Sequence, residues 1–156
     1  MKNKYLILIF ILFLSSTIYS QEIKNETNEI RKNAISFNIL GTTPVLGITY
    51  ERIVSDKISL EIGLGIPSIG VGMKIFPSGI REETLMFHTG ITATYIETAD
   101  FFGGGKEGKV IAYVPIGMSY FGEAGFNIGI DVGPGVRFES ETAFVPYGNL
   151  KVGYRF

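Results

Sequence analysis

Residues 103–109, GGGKEGK, match the G-x-x-x-x-G-K spacing of a phosphate-binding loop, and residues 103–108 also match G-x-G-x-x-G. Both motifs work by aiming backbone N–H groups at phosphate from the start of a helix, and the first needs Ser or Thr after its lysine to hold magnesium. Here Val110 follows the lysine, and VIAYVPIGMSY continues as a strand pattern rather than a helix. The stretch therefore reads as a loop between two strands, with Phe101 and Phe102 as candidate contacts for an external ligand. His88 is the single histidine. It excludes any metal site or triad that needs two, and its place among small residues reads as a satisfied interior group. Cysteine is absent, which removes disulfides, thiol nucleophiles, cysteine metal centres and a lipidated N-terminal cysteine. No catalytic residue, cofactor or metal ligand is assigned, and an enzyme is not expected.

The remaining polar chemistry lies in charged residues set singly into apolar strands: Glu51, Glu61, Lys74, Asp131, Arg137, Lys151 and Arg155, with His88 among them. What positions them is a period-2 pattern that runs from Ala34 to the end with no sustained 3.6 period. It predicts eight strands, over 34–40, 45–53, 58–66, 69–76, 85–97, 110–120, 124–138 and 146–156, separated by turn-rich stretches such as VSDK, PSGIREET and ESETAFV. In the third, Ile58, Leu60, Ile62, Leu64 and Ile66 share one face, opposite Ser59, Glu61, Gly63 and Gly65. The seventh sets Phe126, Ile128, Ile130 and Val132 against Asn127, Gly129, Asp131 and Gly133.

A soluble barrel would turn the branched face inward and expose alternate glycines, which would cost strand stability for no return. A membrane barrel inverts the assignment: lipid takes the branched face, and a narrow interior takes small residues and polar groups that pair among themselves. The glycines then make room for the long charged side chains. A turn at residues 67 and 68 predicts Glu61 opposite Lys74, and a hairpin centred on Glu141 predicts Asp131 opposite Lys151, so that interior charges meet counter-ions. Outward Tyr50, Phe87, Tyr120, Phe126 and Tyr154 fall toward one end of their strands, with Tyr95, Phe138 and Phe144 toward the other, as girdles would.

At the N-terminus, Lys2 and Lys4 precede the apolar run YLILIFILFL and then SSTIYS, the order of a secretory signal over residues 1–20; the run is too short to span a bilayer as a helix. Residues 21–33, QEIKNETNEIRKN, read as a solvated periplasmic lead-in, and 34–156 as the barrel. The 14 Lys and Arg against 15 Asp and Glu leave no basic excess for nucleic acid.

With this signal, eight alternating strands, the segment YERIVSDKISLEIGLG (50–65) and the terminal VGYRF, the chain resembles the small outer-membrane β-barrel proteins of Gram-negative bacteria. The resemblance implies an eight-stranded antiparallel up-and-down transmembrane barrel with both termini in the periplasm. It further implies that Phe156 serves as the signal read by the outer-membrane assembly machinery. It carries no catalytic residues across. The function expected is structural or surface interaction through extracellular loops; a small-solute channel and a secreted soluble barrel binding an apolar ligand remain the alternatives. An eight-stranded lumen is just wide enough for side chains, which disfavours an open pore.

Overall fold

The computed structural model describes residues 30–43, 45–66, 68–98, 107–138 and 142–156, and the signal and most of the lead-in fall outside them. Strands form wherever the alternation is sustained: β1 (Asn33–Leu40), β2 (Leu46–Ser55), β3 (Ile58–Gly65), β4 (Ser68–Ile75), β5 (Leu85–Thr98), β6 (Glu107–Tyr113), β7 (Ile116–Phe121), β8 (Phe126–Phe138) and β9 (Ala143–Arg155). Every pairing is antiparallel, and β1 pairs with both β2 and β9, so the sheet closes on itself. The expected sixth strand is two collinear segments. Both β6 and β7 lie between β5 and β8, and Pro115, which has no N–H to donate, interrupts the ladder between them. The fold is thus an eight-staved barrel with one broken stave.

The staves are tilted. Following the pairs from Ser36 through Thr49, Gly63, Gly70, Thr94, Ile111 and Arg137 leads to Ala143, whereas Ser36 itself faces Gly153, ten residues further along β9. A displacement of this kind is how a closed sheet acquires its strand tilt, about 40° in barrels of this size. No helix long and apolar enough to cross a membrane occurs among the described residues.

Burial is inverted, as the glycine argument requires. Lys74, Lys151 and Glu51 are fully buried, while Ile130 is 58% exposed and Val132 65%. The lumen holds polar residues and the outer wall is a belt of Ile, Leu, Val and Phe. The predicted aromatic rows also lie where expected. Tyr50 and Tyr154 both flank Ile35, Tyr154 faces Phe126, and Tyr120 pairs with Leu85, next to Phe87, near the end that carries Asn33 and Phe156. Tyr95 and Phe138 both flank Val110 at the opposite end.

Two registers differ from expectation by two residues. Glu61 faces Gly72 and Lys74 faces Ser59, because Gly65 pairs with Ser68 and β4 begins one residue earlier than expected. Asp131 faces Asn149, and Lys151 faces Gly129, because the β8–β9 hairpin is also centred one residue earlier. A two-residue slip keeps every side chain on its face. In addition β9 begins at Ala143 and runs through Pro146, which stands opposite Pro134. The carbonyls two residues along or at the same position show where the missing donors point. Gly41 donates to the Gly148 carbonyl on the β1 side, and Val114 donates to the Pro134 carbonyl beside the β6–β7 break. Each proline's absent N–H therefore falls where the ladder already has a gap.

An interior devoid of apolar packing was expected, and this is corrected at the terminal end. Ile53, Phe76, Ile80, Met86 and Phe121 form a buried apolar cluster, with Ile30 packed against it. It floors the lumen. The lead-in is not wholly solvated either: Arg31 bonds to the Glu123 carbonyl and Arg155 Nε donates to the Arg31 carbonyl at 3.0 Å. Replacing either Phe76 or Phe121 by Ala should cost about 3–5 kcal/mol of unfolding free energy, the usual loss for a buried Phe, measured by denaturant titration in detergent; an unchanged midpoint would mean the floor is not part of the folded barrel's stability.

Candidate functional site

The candidate site is the lumen. Glu51, Glu61, Lys74, His88, Asp131, Lys151 and Arg155 are brought together there from β2, β3, β4, β5, β8 and β9, each on the inward parity of its strand. Arg137 stands apart, at the far end of the same face between Ile111 and Ala143, and only partly buried. Phe156 completes the β1 ladder through a backbone pair with Asn33. Phe101 and Phe102 lie outside the described residues.

Long side chains, not ladder neighbours, make the ion pairs. Lys151 Nζ donates to Glu51 Oε2 at 2.6 Å and sits 3.6 Å from Glu61 Oε2. Glu51 and Glu61 face each other directly across β2 and β3, an arrangement that would repel without this shared lysine. Lys74 Nζ lies 3.5 Å from both Glu61 Oε2 and Asp131 Oδ2, so it still reaches the glutamate predicted for it, by a diagonal. Arg155 approaches Glu51 at 3.6 Å and stacks its guanidinium 4.1 Å from the Phe121 ring centroid, joining the charges to the apolar floor. Lys74, Lys151 and Arg155 thus balance Glu51, Glu61 and Asp131.

Asp131 anchors a second chain of contacts. It accepts hydrogen bonds from Tyr113 at 2.9 Å and Asn149 at 3.2 Å, and its Oδ2 lies 3.4 Å from His88 Nε2. Ser119 Oγ lies 3.1 Å from His88 Nδ1. The tautomer that satisfies both contacts places the ring proton on Nε2, with the serine hydroxyl donating to Nδ1. A serine, histidine and aspartate in line have the order of a nucleophilic relay. Ser119 is only 1% exposed, however, and the floor of Phe76 and Phe121 lies beneath it. What the geometry provides is a buried hydrogen-bond chain that fixes the imidazole.

The opposite end of the lumen is filled by backbone. The chain turns inward through Leu40 (φ 64°) and Gly41 (φ 77°), and Thr42 and Thr43 become fully buried. Thr42 Oγ1 bonds Thr49 Oγ1 at 2.8 Å, and Thr94 donates to the Gly41 carbonyl at 3.2 Å. This plug explains glycines attributed above to charged side chains. A Cβ at Gly70 would collide with the Thr42 carbonyl, and one at Gly63 would come within 2.5 Å of Thr42 Oγ1. Gly72 does serve the charges, since a Cβ there would lie 2.8 Å from Glu61 Cγ.

The polar plug was missed because no local pattern signals a loop that folds inward. The floor had a signal: Phe76 and Phe121 share parity with Lys74 and Ser119, so large aromatics sat visibly on the small-residue face. Among the described residues, no group of acids and histidine is arranged to hold a metal ion. No family model, curated protein or solved structure matches this chain.

Removing one partner of the central pair should be severe. Lys151→Met leaves Glu51 buried without its closest cation and should destabilise by about 3–5 kcal/mol. The double variant K151M/E51Q should recover part of that loss. A chemical-denaturation cycle over the four proteins checks the coupling, and additive losses would show that the pair does not act as one.

Proposed function

We propose that the chain is an integral outer-membrane β-barrel with a structural or surface-interaction role, exported by its N-terminal signal and carrying its contacts on the outer loops. The observation that supports this reading is the reversal of polarity: Lys74 and Arg155 are buried at 0% and 1% exposure, while isoleucines line the outside. Water does not favour such a wall, since an exposed apolar patch in a soluble monomer rarely exceeds a few hundred Å². A bilayer does favour it, and closure leaves no unpaired edge around most of the circumference. The thirteen-residue β8 rises roughly 30 Å at a tilt of about 40°, enough to cross the apolar layer. Aromatic rows near both ends fit the two interfaces. Phe156 at the end of the last strand is the residue the assembly machinery would read.

Floor and plug speak against conduction. The terminal end is closed by Phe76 and Phe121 and the far end by Thr42 and Thr43, leaving the charges between them to brace the wall. Specific partners would therefore meet the rim rather than the lumen. Expressed in a Gram-negative host, the chain should enter the outer-membrane fraction and migrate faster on detergent gels before boiling than after. It should give no steady conductance in planar bilayers. Recovery as a soluble protein without a heat-dependent shift would refute the membrane assignment and favour a soluble barrel, and stepwise currents would favour the channel.

A further inference from the structure

The wall is uneven. β1, β3 and β4 have eight residues each, whereas β5, β8 and β9 have thirteen or fourteen. β1 stops at Leu40, opposite Asn149, so residues 143–148 of β9 run past its end. The result is a notch in the far rim. At the notch lies a groove of about 890 Å³, bordered by Leu40 and the outward Val132, Pro134, Phe144 and Pro146, and reaching the inward-parity Tyr147. Gly148, with no side chain, faces Val132 there, and Pro146 faces Pro134. Phe144 stands over it, 85% exposed.

Three features select the occupant. None of the residues lining the groove is charged, so a free fatty-acid carboxylate would find no counter-ion there. The open edge of β9 carries Pro146, whose missing N–H blunts the pairing that an added peptide strand would need. A second copy would present the same concave surface, and two hollows do not fill each other across a two-fold axis. What fits is an apolar chain whose polar end remains outside, and the volume lies within the roughly 300–1,000 Å³ of small-molecule pockets.

We propose that this groove retains one acyl chain of a membrane lipid, seated against β8 and β9 in the notch above Leu40, with its head group left at the outer surface. The inference rests on the membrane reading given above. It differs from general lipid contact in being localised to the hollow on β8 and β9.

The full chain would be refolded into vesicles of phosphatidylethanolamine and phosphatidylglycerol containing a trace of phosphatidylcholine with a diazirine midway along one acyl chain. After irradiation, labelled peptides would be mapped. Label per residue over 132–136 and 144–148 should exceed that on Ile48, Ile62 and Val71 by roughly tenfold. Phe144→Ala, at a position too exposed to matter for folding, should lower the enrichment several-fold, and Pro146→Phe should abolish it by filling the hollow. Both variants would first be shown to keep the heat-dependent gel shift. Even labelling around the wall would overturn the proposal. So would equal enrichment with a diazirine-bearing free fatty acid in place of the phospholipid, or a crosslinked dimer joined through these peptides. A chain that fails to enter the vesicles would give no label anywhere, and would remove the membrane reading itself.

Discussion

Everything inside this barrel depends on the contact between Lys151 and the opposed carboxylates of Glu51 and Glu61. Two acids facing each other on neighbouring strands in a space without bulk water would repel, and each would carry a desolvation cost of several kcal/mol. One ammonium between them converts that liability into a crosslink spanning β9, β2 and β3. Lys74 extends the link to Asp131 on β8, and Arg155 extends it to the floor. A chain of this kind gains stability only when complete, because each member left unpaired would retain its burial cost. Wall and lumen are therefore coupled: staves must hold their register for the charges to meet, and the charges in turn resist slippage of the staves.

The glycines follow from the same constraint. A closed sheet of eight staves leaves a lumen about one side chain deep, so every long residue pointing inward needs neighbours that do not. Gly72 yields to Glu61, whereas Gly70 yields to the Thr42 backbone and Gly63 to its side chain. Space is divided between two kinds of filling, ionic in the middle and hydrogen-bonded at the far end. An apolar floor forms the third layer, where the Phe76 ring meets His88 at a tilt and Phe121 edge-on.

The alternation in residues 34–156 made the strands, the facing of each side chain and the set of buried charges legible, because parity survives any even slip of register. Partner identity did not survive. Glu61 and Lys74 were expected as ladder neighbours and meet on a diagonal; Asp131 and Lys151 were expected together and each found another partner. Parity is a local property of the chain, but pairing depends on where a turn closes, and a single residue at the turn moves every partner by two. The break at Pro115 was readable in principle, since proline within a strand marks an edge or an interruption. The inward fold of Thr42 and Thr43 was not, because its cause is a hollow created by Gly63 and Gly70 on other strands.

Both ends of the lumen are filled, one by the apolar floor and the other by the inward turn of Thr42 and Thr43. Phe121 below and Thr42 above are both fully buried, as are Ser119, His88 and Asp131 between them, to within 2% exposure. The long strands β5, β8 and β9 carry the wall well past the level at which β1–β4 stop, and this unevenness is the main departure from a simple cylinder. The short side bears no charged residue from Phe37 to Thr49 or from Ile62 to Met73, so its hairpin tips, with Ile66 88% exposed, suit an apolar surrounding rather than water. On the tall side Glu107 and Lys109 stand at the start of β6, paired with Thr98 and Ile96 near the end of β5. Polarity at the rim therefore tracks strand length, as it would if the boundary of the apolar layer, and not the barrel's own symmetry, set where charge is allowed to begin.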